Sequence, residues 1–293
     1  MTDERTIAVL GAGGTMGRPM AANLARAGLS VRGWNRTREK AEPLAGDGVE
    51  IVDEPAGAAR DAAVLVTMLA DKEAVLEVAG DALGAAADEV LWLQMSTIGI
   101  EGTEACATLA SERGATFVDA PVLGTKAPAE AGELVVIASG PAKAREPAEP
   151  IFDAVGQRTV WAGEAGAGTR LKLVANAWVV SIVEGIAETV ALAEGLGVDP
   201  AGFLDVVKGG AMDLPYLQMK GKAIIERDFE PSFKLRLAAK DAGLVVEAAR
   251  DASLDLPMMR TIAERMREGT SEHGDKDMAA TYLTSAPEAA ARE

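Results

Sequence analysis

The chain has 293 residues, 48% of them hydrophobic and 25% charged, which is ordinary for a folded protein with a substantial core. Its 45 acidic and 29 basic side chains give a formal net charge of −16. This charge disfavours binding to a phosphate backbone, so we expect no nucleic-acid partner. One cysteine and one histidine exclude an internal disulfide framework and leave almost nothing for a zinc site, so we predict no metal.

The sequence gives little sign of targeting or of a membrane span. The first residues, MTDERTIAVL, lack the basic region and the long apolar region of a secretory signal. The nearest approach to a span, LVANAWVVSIVEGIA, is interrupted by Glu184. We therefore expect a cytoplasmic protein with no membrane partner. His273 lies in the polar stretch SEHGDKD and is expected to be solvated rather than catalytic.

Strand and helix patterns alternate through the first half of the chain. TIAVL (6–10) and SVRGW (30–34) predict strands, separated by a helix over 15–28. Continuous apolar runs predict further strands, the first two of them buried and parallel, at 63–69, 90–96, 115–122 and 133–140. Strands that alternate with helices indicate an α/β fold with a doubly wound sheet.

The second half of the chain has only helical patterns. Residues 169–197 form one long helical segment that is apolar on nearly every side. We predict two domains, 1–165 with the sheet and 166–293 with helices only, joined by this long helix. One small helical domain cannot cover so apolar a helix, so we expect a homodimer or a larger homo-oligomer. The final SAPEAAARE is expected to be a loose tail.

A glycine-rich loop joins the first strand to the first helix. In IAVLGAGGTMGRPM the glycines depart by one extra residue from the usual G-x-G-x-x-G of a dinucleotide-binding turn. We expect Gly11 and Gly13, or Gly13 and Gly14, to allow the tight turn and the close approach to a pyrophosphate. Gly17 is expected to allow close packing of the helix against the strand. A chance spacing is the alternative in a chain with 31 glycines. The strand before the loop and the helix after it favour nucleotide binding.

The end of the second strand indicates which nucleotide is bound. An NAD-binding chain usually has an acidic residue there for the ribose hydroxyls. This chain instead has GWNRTREK, with Asn35, Arg36 and Thr37. An arginine and a hydroxyl suit a 2′-phosphate, which favours NADP(H), although a solvated loop of mixed charge is the alternative.

Two polar residues stand out in the apolar stretch GAGTRLKLVANAW. Lys172 and Asn176 are four residues apart and therefore share one face of a helix. A lysine in such apolar surroundings is costly unless it has a partner or a function. The alternative is that Lys172 extends to the surface from the first turn.

Five motifs in order are similar to those of the β-hydroxyacid dehydrogenase family over nearly the whole chain. They are GAGGTMGRPMAANLARAG with NRT, then MST, DAPVLGTKAPAEAGELVVIASG, GAGTRLKLVANAW and FKLRLAAKDAGL. The part GTKAPAEAGEL most resembles the glyoxylate/succinic semialdehyde reductase branch. The resemblance implies a Rossmann domain of the kind found in 6-phosphogluconate dehydrogenase, a linking helix, and an all-α domain that helps to form a dimer or tetramer.

The resemblance also implies roles for single residues. Lys172 would be the catalytic acid or base, and Asn176 would orient it or the substrate. The implied cofactor contacts are Gly11, Gly13, Gly14, Thr15, Met16, Asn35, Arg36, Thr37, Met68, Leu69, Thr97, Phe233 and Lys240. The implied substrate loop contains Leu123, Gly124 and Thr125. From the residues alone, two alternatives to these roles remain open. Phe233 could pack in the core, and Lys240 could form a surface ion pair with Asp241.

The substrate loop departs from the family pattern D-A-P-V-S-G-G. Leu123 stands in the place of the serine and Thr125 in that of the last glycine, which leaves the identity of the substrate open. The expected activity is an NADPH-dependent, reversible reduction of a small carbonyl compound such as a semialdehyde or glyoxylate. The alternatives are an imine reductase, in which Asp or Tyr usually replaces the lysine, and a non-catalytic NADPH-binding protein.

Overall fold

The computed structural model describes residues 5–286. The chain forms two compact units that divide between Lys172 and Leu173, a few residues beyond the boundary expected after residue 165. Of the expected loose tail, residues 287–293 lie outside the described part of the chain.

The first unit is built on a parallel sheet. Its strands are β1 (Thr6–Leu10), β2 (Ser30–Trp34), β3 (Glu50–Val52), β4 (Val64–Thr67), β5 (Leu91–Gln94) and β6 (Thr116–Asp119). They pair in parallel in the order β3-β2-β1-β4-β5-β6, which is the doubly wound arrangement. The predicted fold class is therefore confirmed, although the three-residue β3 was not anticipated.

Helices cover both faces of this sheet. They are α1 (Gly17–Arg26), α2 (Pro55–Ala59), α3 (Lys72–Leu83), α4 (Gly99–Glu112), α5 (Lys126–Ala131) and α6 (Arg145–Val155). Successive side chains of β1 point to opposite faces. Ile7 and Val9 join one apolar cluster with α1 and α6, whereas Ala8 and Leu10 join another with α3 and α4.

A second, small sheet follows the first. It consists of β7 (Val122–Leu123), β8 (Leu134–Ala138) and β9 (Gly156–Trp161), with β7 antiparallel and β9 parallel to β8. The run 115–122, predicted as one strand, is divided between β6 and β7 at Ala120 and Pro121, where the proline has no N–H to donate. Strand β9 was not predicted, since Gln157, Arg158 and Thr159 break its apolar pattern.

The second unit is helical, as predicted. Its elements are α7 (Ala167–Gly195), which begins in the first unit, then α8 (Pro200–Val207), α9 (Pro215–Ile225), α10 (Leu235–Asp251), α11 (Pro257–His273) and a 3₁₀ helix (Met278–Thr284). Three of these helices begin with proline, whose missing N–H costs nothing at the first helical position. His273 is less solvated than expected, because its side chain is only 22% exposed at the end of α11.

Helix α7 is long and apolar enough, by length and composition alone, to cross a membrane, contrary to the expectation from its sequence. The core helix of a globular protein meets the same criterion. Within the second unit the buried Asn176 donates to Asp241, and Thr281 donates to the buried Glu184. Polar side chains paired in this way fit a helix packed against protein.

The buried carboxylate of Glu184 is only partly satisfied by hydrogen bonds. Thr281 donates to Oε2 at 2.6 Å, whereas Oε1 has no hydrogen-bond partner among the described residues. Burial raises the pKa of Glu184 above its ordinary value, and the Thr281 hydrogen bond and the charge of Arg265 offset only part of the rise. The ionised carboxylate therefore destabilises the fold.

We expect Glu184→Gln to change how stability depends on pH. Where the folded protein holds a proton that the unfolded chain has lost, the free energy of unfolding falls as pH rises. This window runs from the ordinary pKa of a glutamate to the raised pKa of Glu184. The variant cannot titrate there and should gain stability relative to the parent as pH rises. Urea unfolding at several pH values measures the free energy of unfolding of variant and parent. Glu247→Gln, at an exposed glutamate, is the control. A difference between Glu184→Gln and the parent that does not depend on pH would contradict the raised pKa of Glu184.

Candidate functional site

The predicted cofactor residues of the first unit follow four neighbouring strands. The glycine loop follows β1, Asn35 follows β2, Met68 follows β4, and Thr97 comes shortly after β5. Because these strands are parallel, their carboxyl ends meet at one edge of the sheet. The winding direction reverses between β1 and β4, the point at which ligands bind in such sheets.

Three glycines are required by the close packing of the loop. Gly11 has φ of +96°, and a Cβ there would lie 2.2 Å from the Met68 carbonyl oxygen. A Cβ on Gly13 would lie 2.7 Å from Asn35 Cγ. A Cβ on Gly17 would lie 2.2 Å from the Gly11 carbonyl oxygen, so Gly17 lets α1 start against the end of β1. The extra loop residue leaves this packing role intact.

The same loop presents unpaired N–H groups. Gly13 donates to Asn35 Oδ1 at 3.1 Å, and Gly14 donates to the Gly11 carbonyl oxygen at 3.0 Å. The N–H groups of Thr15, Met16 and Gly17 donate to no described residue. Three such groups at a helix start suit an anion, so the loop fits the pyrophosphate of a dinucleotide.

The loop after β2 contains two arginines, of which one forms an ion pair and the other does not. Arg38 forms an ion pair with Asp53 at 2.7 Å. Arg36 is exposed and forms no hydrogen bond or ion pair with any described residue. Asn35 Nδ2 donates to the Thr37 carbonyl oxygen at 2.7 Å, and Asn35 Oδ1 accepts from the Gly13 N–H. Both ends of the Asn35 amide thus stabilise the turn.

The ends of β4 and β5 are joined by hydrogen bonds that sequence reasoning missed. The Leu69 N–H donates to Ser96 Oγ at 2.9 Å. Buried Gln94 holds the Ser96 backbone from both sides, accepting from its N–H at 2.7 Å and donating to its carbonyl oxygen at 2.9 Å. These contacts fix Leu69 and Thr97, two of the residues predicted to contact the cofactor. Ser96 was visible only as part of the MST motif.

Asp119, at the end of β6, was also missed. It is fully buried and accepts from the Thr169 N–H and Thr169 Oγ1 at 2.7 Å each, and from Ser139 Oγ at 3.1 Å. Burial raises the pKa of Asp119 above its ordinary value, and these donors offset part of the rise. The first turn of α7, three residues before Lys172, is thus held by a carboxylate of the sheet.

The predicted substrate loop begins in β7. Leu123 pairs with Val135 of β8. Asp119 and Ser139 exchange both of their backbone hydrogen bonds. Along an antiparallel pair of strands, hydrogen-bonded and non-hydrogen-bonded residue pairs alternate, so the pair of Leu123 and Val135, four residues further along, is again of the hydrogen-bonded kind. The Leu123 N–H is therefore directed to β8. Gly124 has φ of +136°, and neither its N–H nor that of Thr125 donates to a described residue. The donors that this loop offers are therefore those of Gly124 and Thr125.

Lys172 and Asn176 are both buried and lie one turn apart on α7. In the second unit, Asn176 Nδ2 donates to Asp241 Oδ2 at 2.8 Å. Lys240 Nζ lies 3.0 Å from the other Asp241 oxygen, and Asp241 is buried. The ion pair between Lys240 and Asp241 therefore forms, but it joins a partly exposed lysine to a buried carboxylate rather than lying at the surface. With its NH₂ group bound to Asp241, Asn176 turns its amide oxygen away from that carboxylate.

Phe233 lies in a segment held by a buried ion pair. Lys220 Nζ is 2.6 Å from Asp277 Oδ1, and Asp277 Oδ2 accepts from the N–H groups of Ser232 and Phe233. Burial alone would raise the pKa of Asp277, but Lys220 and the hydrogen bonds outweigh it and lower the pKa. Phe233 is half-buried, and its predicted cofactor contact stays a prediction.

Other reactive groups are unsuited to chemistry. Burial, with a smaller contribution from Asp119, raises the pKa of Cys106 to about 12, so its thiol stays protonated. Among residues 5–286, no three His, Cys, Asp or Glu side chains lie close enough together to hold a metal ion.

Comparison with known families accounts for almost the whole chain. Residues 6–163 match the family described as the NAD binding domain of 6-phosphogluconate dehydrogenase. Residues 166–284 match the family described as NAD-binding of NADP-dependent 3-hydroxyisobutyrate dehydrogenase. The two matches are separated by residues 164–165.

Individual relatives agree with these matches. Glyoxylate/succinic semialdehyde reductase 2 of Arabidopsis thaliana is 33% identical over 84% of this chain and 69% of its own, and reductase 1 is 30% identical over 91% and 94%. The solved Mycobacterium tuberculosis 3-hydroxyisobutyrate dehydrogenase with L-serine is 30% identical, with a TM-score of 0.86 over 96% of this chain and 98% of its own. The chain thus belongs to the β-hydroxyacid dehydrogenase family, oxidoreductases that act on CH–OH groups with NAD(P).

Proposed function

We propose that the protein is an NADPH-dependent reductase of a small aldehyde that carries a carboxylate, with Lys172 as the proton donor. The observation that supports this most is the buried Lys172 on the helix face shared with Asn176, whose amide is oriented by Asp241. A buried lysine costs free energy unless it has a partner or a function. A semialdehyde or glyoxylate is the substrate class favoured by the relatives.

When bound, the nicotinamide supplies the hydride that reduces the carbonyl carbon. The ammonium group of Lys172 donates a proton to the oxygen of that carbonyl, and in the reverse direction the neutral amine accepts it. The amide oxygen of Asn176 accepts a hydrogen bond from Lys172 or from the substrate hydroxyl, because its NH₂ group already donates to Asp241.

The carboxylate of the substrate is bound by the N–H groups of Gly124 and Thr125. Leu123 adds an apolar side chain where the family has a serine hydroxyl. Loss of that donor weakens the hold on a short acid such as glyoxylate and favours a longer carbon chain. Within the substrate class, we therefore expect a preference for a semialdehyde.

NADPH is the proposed cofactor because the loop after β2 has an available guanidinium. Arg36 and Thr37 are exposed, whereas Arg38 is paired with Asp53. A 2′-phosphate binds a free arginine through charge-assisted hydrogen bonds. Arg36 therefore distinguishes NADPH from NADH.

We also propose that the protein is a homodimer or homotetramer, assembled through an exposed apolar stripe on α7. The stripe consists of Leu171, Val174, Trp178 and Leu192 on α7, with Leu196 directly after its last residue. At about 100° per residue these side chains fall within one narrow arc of the helix, and Val174 is 68% and Trp178 64% exposed. Exposed apolar residues near both ends of one side of a core helix fit contact with a second copy.

Two other activities remain as rivals. An imine reductase usually has Asp or Tyr in the place of Lys172, and a non-catalytic NADPH-binding protein would not need Lys172 and Asn176 together. The cytoplasmic location also remains a prediction.

A panel of substrates tests the proposed activity. NADPH oxidation should be fastest with succinic semialdehyde or methylmalonate semialdehyde, slower with glyoxylate, and negligible with a cyclic imine. Lys172→Ala should lower kcat by about two to four orders of magnitude, the usual contribution of a general acid, with little change in NADPH affinity. Exposed Lys222→Ala is the control. Most of kcat retained in Lys172→Ala would show that another group donates the proton.

Arg36→Ala tests the choice of cofactor. The variant should bind NADPH more weakly by about 1.5–3 kcal/mol, the value of a hydrogen bond to a charged group, and should bind NADH as the parent does. Fluorescence titration with each cofactor measures both. Arg26→Ala, which removes the same charge from an exposed pair with Asp47, is the control. Equal weakening with both cofactors would show that Arg36 does not contact the 2′-phosphate.

Light scattering tests the assembly. The parent should be a dimer or larger at micromolar concentration, and Trp178→Glu should shift it toward the monomer because it buries a charge in the apolar contact. Leu254→Glu, at another exposed leucine of the second unit, should leave the mass unchanged. A monomeric parent would rule out the proposed assembly.

A further inference from the structure

The start of α7 is fastened to the sheet more tightly than a helix start requires. Two of its first N–H groups reach acceptors at once, with Gly168 donating to Ser139 Oγ at 2.8 Å and Thr169 to Asp119 Oδ2 at 2.7 Å. The Thr169 hydroxyl adds a third hydrogen bond, to Asp119 Oδ1 at 2.7 Å. Ser139 Oγ lies 3.1 Å from Asp119 Oδ2, so one buried cluster holds both residues of the helix.

Backbone packing restricts the same turn. A Cβ on Gly168 would lie 2.5 Å from the Ile137 carbonyl oxygen and 3.0 Å from that of Asp119. Only glycine allows the helix to start this close to β6 and β8. Together with the hydrogen bonds, this contact leaves α7 little freedom to shift or to rotate at its first turn.

The residue held by Asp119 lies on the same helix face as the proposed proton donor. Thr169, Lys172 and Asn176 are spaced three and then four residues apart, which places them on one face of α7. A rotation of the helix about its axis would therefore move the Lys172 side chain together with Thr169. The two hydrogen bonds between Thr169 and Asp119 resist that rotation.

We propose that Asp119 is a positioning residue for the reaction, which acts through Thr169 to set the direction in which Lys172 presents its ammonium group. This inference rests on the proposed function, since it takes Lys172 as the proton donor. Asp119 does not touch the reacting atoms in this scheme. Its effect is therefore expected in kcat, whereas NADPH binding at the glycine loop should not change.

Thr169→Val tests the proposal, because it removes the hydroxyl but keeps the shape of the side chain and the N–H bond to Asp119. The hydroxyl also lies 2.9 Å from Thr103 Oγ1, so Thr103→Val, which removes that contact but keeps the bonds between Thr169 and Asp119, should leave kcat nearly unchanged. We expect kcat to fall about tenfold, within the range that a small misplacement of a catalytic group costs, and the Kd for NADPH to change less than twofold. Thr169→Ser, which restores the hydroxyl, should recover most of kcat. Thr189→Val is the matched control, because it removes a hydroxyl of the same helix that bonds only to the Gly185 carbonyl oxygen.

A double-mutant cycle separates positioning from general damage. If Thr169 acts through Lys172, adding Thr169→Val to Lys172→Ala should cause no further loss in single-turnover NADPH oxidation with enzyme in excess. A tenfold loss in both backgrounds, or unchanged kcat in Thr169→Val alone, would overturn the positioning role and leave the proposed function standing. An unimpaired Lys172→Ala would instead overturn the proposed function, and the inference with it.

Discussion

At the end of β6, the buried carboxylate of Asp119 accepts hydrogen bonds from the start of α7, and each of the two groups satisfies the other. The Asp119 carboxylate needs donors because it has no access to water, and the first N–H groups of α7 need acceptors because no preceding turn supplies them. Their hydrogen bonds satisfy both. Either group left unpaired would cost about 1–3 kcal/mol. The position of Lys172, one turn further along α7, therefore follows from the sheet.

The glycine loop departs from the usual spacing but keeps the close packing that this spacing provides. Gly17 still lies against the Gly11 carbonyl oxygen, so the helix starts where the strand ends. The extra residue allows Gly13 and Gly14 to turn their N–H groups inward, to Asn35 and to Gly11. The groups left for phosphate are those of residues 15–17. Local N–H dipoles thus create an anion site in a chain of net charge −16.

Sequence patterns identified the elements that are strongly periodic or continuously apolar. β1 and β2 have the predicted bounds, and each end of α7 lies two residues from its predicted position. The patterns failed where tertiary contacts decide the structure. β3 and β9 are too short or too polar to stand out, and Pro121 divides a run whose apolar character is continuous. Asp119 and Ser96 lie at or near the ends of predicted strands, and nothing in the sequence shows which hydrogen bonds they make there. The role of Asp241 depends on Asn176, 65 residues away in sequence.

The two sides of α7 have opposite requirements. At about 100° per residue, the face with Thr169, Lys172 and Asn176 lies nearly opposite the stripe with Val174 and Trp178. The first face is buried and hydrogen-bonded, whereas the second is apolar and exposed. In the proposed assembly and mechanism, this separation lets contact with a second copy cover the stripe without burying Lys172 any further, so that assembly and proton transfer can be changed independently by mutation.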